Sequence, residues 1–244
     1  MKPRSHTLFH FTKNIDALKS ILKNGFWPHY SLEDFNWYNS EMGFIGYPMV
    51  CFCDIPLTRI EEHVGFYGEY GLGLTKQWGV SNDLCPLIYL TQSSPVTAAL
   101  YRLCTNDVKA IDGYYIGSKV DLKSIISYIK PIEGNILVGA IPTPKEFYQE
   151  NEWRYVPRDQ AIRQWINKEE YANSTTLSQL NEIAKDNGGL QITPNDIKYI
   201  FVKSDANIPG IINFIQTELD HFSANDLKIL MSRVVSSESI NLDL

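Results

Sequence analysis

Apolar and polar residues along the chain lay out a series of short elements. Thr7-Leu8-Phe9-His10-Phe11-Thr12 is rich in β-branched and aromatic residues and predicts a strand. Asn14 then reads as an N-cap, and Ile15, Leu18, Ile21 and Leu22 recur at helical spacing up to Gly25, a natural terminator. Residues 26–48 show no clear period, yet they hold Trp27, Tyr30, Phe35, Trp37, Tyr38, Phe44 and Tyr47. They read as a loop that folds onto the body or lines a site, because exposed apolar patches of that size are uncommon. Residues 49–53 predict a buried strand closed by Asp54-Ile55-Pro56, followed by a short helix over 57–63 and a glycine-rich stretch over 65–74.

Further along, Leu87 to Leu90 reads as a strand, and Ser94-Pro95 as an N-cap with proline at the first position of a helix that runs to about Leu103. Leu122, Ile125, Ile126 and Ile129 keep helical spacing until Pro131 stops them. Trp153 to Val156 predicts a strand, residues 160–187 a polar helical region ended by Gly188-Gly189, and Ile197 to Val202 the clearest strand of all. Helices are expected over 209–219 and through Leu227, Leu230, Met231 and Val234. The expected fold is α+β: a central, mainly antiparallel sheet, whole or split, with flanking helices. No internal repeat or Pro/Ser linker divides the chain, so one domain over 1–244 is the expectation.

Composition narrows the function classes. The 244 residues are 44% hydrophobic and 20% charged, the profile of an ordinary globular chain. A net charge of −6, from 22 basic and 28 acidic residues, argues against the phosphate-neutralising surface of a nucleic-acid binder. No signal peptide is legible in the first 30 residues, and no apolar run approaches the ~20 residues that span a bilayer. The expectation is a cytoplasmic protein without membrane contact, with Cys51, Cys53, Cys85 and Cys104 as reduced thiols.

Familiar catalytic signatures are absent: no phosphate loop, no G-x-G-x-x-G between strand and helix, no H-E-x-x-H, no G-x-S-x-G and no paired C-x-x-C. Cys51 and Cys53 share one strand face, but Val50, Phe52 and Ile55 around them fit a core strand better than a metal site, so no metal is expected. Three features stand out. His10 lies in an apolar strand. Tyr67 and Tyr70 sit among glycines, which allow a ligand close to the backbone. Glu152 opens Asn151-Glu152-Trp153-Arg154-Tyr155, an acid among aromatics. Each also has a plain structural reading: a satisfied core histidine, packing tyrosines, and an acid paired with a nearby arginine.

The segments Cys51-Phe52-Cys53-Asp54-Ile55-Pro56-Leu57 and Tyr67-Gly68-Glu69-Tyr70-Gly71-Leu72-Gly73-Leu74-Thr75-Lys76-Gln77-Trp78-Gly79 resemble the AbiGi family of phage-resistance proteins. His10-Phe11-Thr12 before them and Asn151 to Tyr155 after them extend the likeness. The resemblance implies a role in abortive infection, as the antitoxin half of a toxin–antitoxin pair with a nucleotidyltransferase-like toxin. A more distant likeness is to the ADP-ribosyltransferase fold with its H-Y-E pattern. It implies NAD as substrate, His10 and Thr12 near the nicotinamide ribose, Tyr67 or Tyr70 stacked on the nicotinamide, and a macromolecular ADP-ribose acceptor. Glu152 would act with His10 as the catalytic pair, stabilising the positive charge that develops as the nicotinamide–ribose bond breaks. The non-catalytic antitoxin is the alternative.

Overall fold

The computed structural model describes residues 5–38, 42–105, 122, 124–138 and 141–243. The fold is α+β, a mainly antiparallel open sheet with helices. Its backbone groups into two compact units, one of Met1–Trp27, Cys51–Leu84 and Gly189–Leu244, the other of Pro28–Val50 and Cys85–Gly188.

In the first unit, strand Thr7–Thr12 pairs antiparallel with Tyr70–Thr75 and, at Phe9, with Cys53. Tyr70–Thr75 pairs on its other side with Ile197–Val202, which carries Val234–Ser236 parallel to it. Alternation along these strands separates two apolar faces. Phe9, Phe11, Cys53 and Phe201 pack with Ile55 and Ile60 on one. Leu8, Leu72 and Leu74, all essentially buried, point to the other.

The glycine-rich stretch is mostly helix and strand. Ile60–Tyr67 is helical through Gly65, and Tyr70–Thr75 is a strand paired on both sides. Glycine weakens a strand in isolation; here it admits rings. A Cβ on Gly71 would stand 2.6 Å from the His10 carbonyl oxygen and 2.7 Å from the Phe11 ring, and one on Gly73 would stand 3.0 Å from the rings of Phe9 and Tyr199. Neighbouring aromatic side chains lie across the glycines and compensate for the missing ones.

Helix Ile15–Asn24 begins and ends as its residues dictate. Asn14 Oδ1 accepts from the Ala17 amide at 2.7 Å, and Gly25 takes φ +77°. The next residue, Phe26, bridges to Leu190. Helices Lys76–Ser81, Ile208–Glu218 and Ala224–Met231 complete most of this unit. Val234, expected in the last helix, belongs instead to the parallel strand Val234–Ser236, and a further helix, Ser237–Asp243, follows.

The second unit corrects the reading of residues 26–48 as a loop. His29–Asp34 and Phe44–Cys53 are antiparallel strands in register from His29↔Met49 to Asp34↔Phe44. The aromatic residues do fold inward, with Tyr30, Phe35 and Tyr47 buried. Tyr30 joins Ile162, Ile166 and Ala184 in a core beneath helix Ser174–Asn187. Residues 160–187 are helical only from Lys168, in two helices, because Asn167 and Asn173 each cap a new start. Ile129, expected in a helix, pairs with Ile88 in a short parallel ladder, Ile88–Leu90 against Ile129–Pro131; the described helical residues before it end at Ile126. Glu133–Val138 and Ile141–Glu146 form a hairpin, and Glu152–Tyr155 pairs with Cys85–Pro86. Among the described residues no helix is long and apolar enough to cross a membrane.

Candidate functional site

The first unit holds four of the five residues expected at a site. His10 is half-buried on the face opposite Phe9 and Phe11. Its Nδ1–H donates to the Cys51 carbonyl at 2.8 Å, which fixes the ring orientation. The ring packs edge-on against Phe26 and beside Phe52, both of which also contact Trp78. Thr12 and Tyr70 sit directly opposite each other in the ladder, two residues along from the His10–Leu72 pair. His10, Thr12 and Tyr70 therefore share one face. Tyr67 does not join them. Its ring lies tilted against His63, 4.6 Å between centroids, and packs against the Phe9–Phe11–Phe201 cluster on the other face.

The segments that carried the family resemblance also have packing roles. Asp54 and Lys76, one from each segment, form an ion pair at 2.6 Å. Trp78 Nε1 donates to the Gln191 carbonyl at 2.9 Å, and a Cβ on Gly79 would meet Leu8 at 2.6 Å. Cys53 lies within the apolar cluster, and Cys51 is half-buried. The Cys104 side chain lies outside the described residues. Among the described residues no group of three His, Cys, Asp or Glu side chains is placed to hold a metal ion.

Glu152 lies in the second unit, at the start of strand Glu152–Tyr155 and 4% exposed. Both oxygens of its carboxylate are engaged. Oε1 accepts from Arg154 Nε at 3.0 Å and Nη2 at 2.9 Å, and Oε2 accepts from Lys130 Nζ at 2.8 Å. Its amide donates to the Tyr89 hydroxyl at 2.8 Å. Arg154 also donates to the Ser127 carbonyl at 2.7 Å and to Glu33 at 3.1 Å. Lys130 approaches Glu150, which pairs with Lys145.

Titration in this cluster follows from burial and charge. Burial alone would lower the Lys130 ammonium, but the carboxylates of Glu152, Glu33 and Glu150 outweigh it and hold the group charged, above the ordinary range. Burial pushes the Tyr89 phenol up, so it stays neutral. Among the described residues three carboxylates thus face three cations, an arrangement that pairs each buried ion with an opposite charge.

Arg154 was legible as a partner of Glu152, since residues two apart on a strand share a face. Lys130, Glu33 and Lys145 were not, because each comes from a separate segment whose folding sequence spacing does not reveal, and Glu150 lies in the helical turn Phe147–Glu150 before the strand rather than on it. A cavity of about 340 Å³ elsewhere in this unit, lined by Asn36, Phe44, Asn167, Lys168 and Glu169 among others, contains none of the expected site residues.

No solved structure matches the chain. Among curated proteins it is similar to the abortive phage resistance protein AbiGi of Lactococcus lactis subsp. cremoris, 27% identical over 226 residues that cover 80% of this chain and 88% of the relative. A model of the AbiGi family, described as an abortive phage resistance protein and antitoxin, matches residues 24–203. That span takes in the Cys51–Leu57 and Tyr67–Gly79 segments and the strand of Glu152, and the chain belongs to the AbiGi family of abortive phage resistance proteins.

Proposed function

We propose that this chain is the antitoxin of a toxin–antitoxin pair and acts by contact, binding a toxin and holding it inactive. The family description names an antitoxin, which implies a toxin partner. The observation that carries a binding rather than a catalytic role is the state of Glu152. A carboxylate that stabilises a reacting cation must face substrate, whereas this one is buried with both oxygens bonded to Arg154 and Lys130. The partner expected from the family resemblance is a nucleotidyltransferase-like toxin.

ADP-ribosyl transfer from NAD is the second reading. It is favoured by His10, Thr12 and Tyr70 sharing one face of a strand pair, with the His10 ring held by the Cys51 carbonyl. In that reading Glu152 exchanges at least one of its present partners for substrate.

One experiment separates the two. The chain is co-expressed with its cognate toxin, and in parallel the purified chain is incubated with labelled NAD and cell extract. The antitoxin reading expects rescue of growth, a stable complex of the two purified proteins, and no transferred label. Label transfer that disappears in His10→Ala, at matched soluble levels, would overturn it in favour of the transferase.

A further inference from the structure

Six side chains of the second unit form an unbroken series of alternating charge. Lys145, on hairpin strand Ile141–Glu146, meets Glu150, and Glu150 lies 3.8 Å from Lys130. Lys130 is 2.8 Å from Glu152, Glu152 is 2.9 Å from Arg154, and Arg154 is 3.1 Å from Glu33 on strand His29–Asp34. None of the six side chains is more than 16% exposed. Screening by water is weak at such burial, and removing one charge disturbs the balance at its neighbours. Each interior member touches opposite charges on both sides, so a loss at one end is redistributed along the series. Lys130 at its centre also stands 4.5 Å over the Phe147 ring, on the turn that joins the hairpin to the Glu152 strand.

We infer that this relay makes the strand pair Glu133–Val138 and Ile141–Glu146 and the 29–34 strand one cooperative unit, so that a disturbance at either is felt at the other. Among the described residues the hairpin strands pair only with each other, and a two-stranded sheet has little stability of its own. The relay fixes its base through Lys145 and Glu150. The coupling does not depend on which partner the protein binds. In either functional reading, a molecule gripping the 29–34 strand also alters the mobility of the hairpin.

The test is hydrogen exchange on the full chain, comparing wild type with Glu33→Gln, Lys145→Met and the double variant. Glu33→Gln keeps the shape of the side chain and removes its charge. It is expected to speed exchange of the 133–138 amides about fivefold or more, the scale of coupled members of one charge network. The double variant removes one charge of each sign from the series. Its loss of stability is expected to fall short of the sum of the singles, by about fivefold or more in the folding equilibrium. Helix Ser174–Asn187 is the control, because Asn181 bonds the Tyr30 amide of the same strand at 2.9 Å. Faster exchange in that helix with an unchanged hairpin would mean local damage only and would overturn the inference, as would additive losses in the double variant. If Glu33→Gln does not fold, Lys145→Met reads the same coupling in reverse at the 29–34 amides, and no change there overturns it.

Discussion

Arg154 holds Glu152 by a single carboxylate oxygen, with Nε at 3.0 Å and Nη2 at 2.9 Å from Oε1, and so leaves Oε2 to Lys130. The two residues lie two apart on one strand, and the guanidinium is among the largest fully buried side chains of the protein. The pair sets the first expectation. A Glu152 facing an open cleft could lose its charge with little effect on folding. A Glu152 between two buried cations cannot. Glu152→Gln is expected to cost about 3–5 kcal/mol of stability, the scale of breaking a buried pair by removing one member. The urea midpoint of the full-length variant measures it, and a midpoint equal to wild type would rule the arrangement out.

Tyr30 sets an alkaline limit. Its hydroxyl donates to the Arg163 carbonyl inside the second unit's core, and burial pushes its pKa from the ordinary phenol value of 10.0 up to about 12. A group whose folded pKa is raised binds its proton more tightly in the native state. Its contribution is complete below about pH 10 and is lost as pH climbs through about 12. Tyr89 and Tyr128 are raised by burial as well and act in the same direction. Stability should therefore fall with pH above about 10, and Tyr30→Phe should make that fall shallower. At neutral pH the same variant should lose only about 1 kcal/mol, for one hydrogen bond. Equal alkaline slopes for the two proteins, in urea titrations across this range, would refute the assignment.

Asn14 supplies a small effect against which the large ones can be judged. Its Oδ1 accepts from the Ala17 amide at an exposed helix start. Asn14→Ala should cost about 1 kcal/mol, the usual loss for an N-cap, and should leave the denaturant slope unchanged. A loss as large as that of Glu152→Gln would show that the cap also serves the packing of helix Ile15–Asn24.

What was legible in the sequence was local. Asn14 and Gly25 mark the ends of a helix by backbone chemistry that needs no tertiary context. Strands Thr7–Thr12 and Ile197–Val202 announce themselves through β-branched and aromatic residues. The misread segments were decided by distant partners. Residues 29–34 became a strand because 44–49 lie alongside them, and Ile129 left its helical pattern to pair with Ile88. At the candidate site, Arg154 could be read as a partner of Glu152, but Lys130 reaches it from 22 positions away. Nor could spacing show that Tyr67 and Tyr70 serve opposite faces, since the chain leaves its helix at Gly68, with φ +119°, before the strand begins.

Gly71 tests the reading of the glycine-rich segment most directly. Glycines beside tyrosines suggest a backbone bared for a ligand, and in that case Gly71→Ala would weaken binding and spare the fold. Here the space is already occupied. A Cβ would meet the His10 carbonyl oxygen at 2.6 Å and the Phe11 ring at 2.7 Å, and the carbonyl belongs to a strand that cannot withdraw without breaking its ladder. Gly71→Ala should destabilise by about 1–3 kcal/mol through overpacking. Gly65 and Gly210 are the controls. Each lies within a helix with nothing inside 4 Å of an added Cβ, and alanine there should stabilise by about 0.5–1 kcal/mol. The same substitution should thus have opposite signs at positions that composition alone cannot tell apart. Thermal or urea unfolding of the three variants measures the difference, and a Gly71→Ala protein as stable as the Gly65→Ala protein would mean that the rings of the first unit do not lie across this strand.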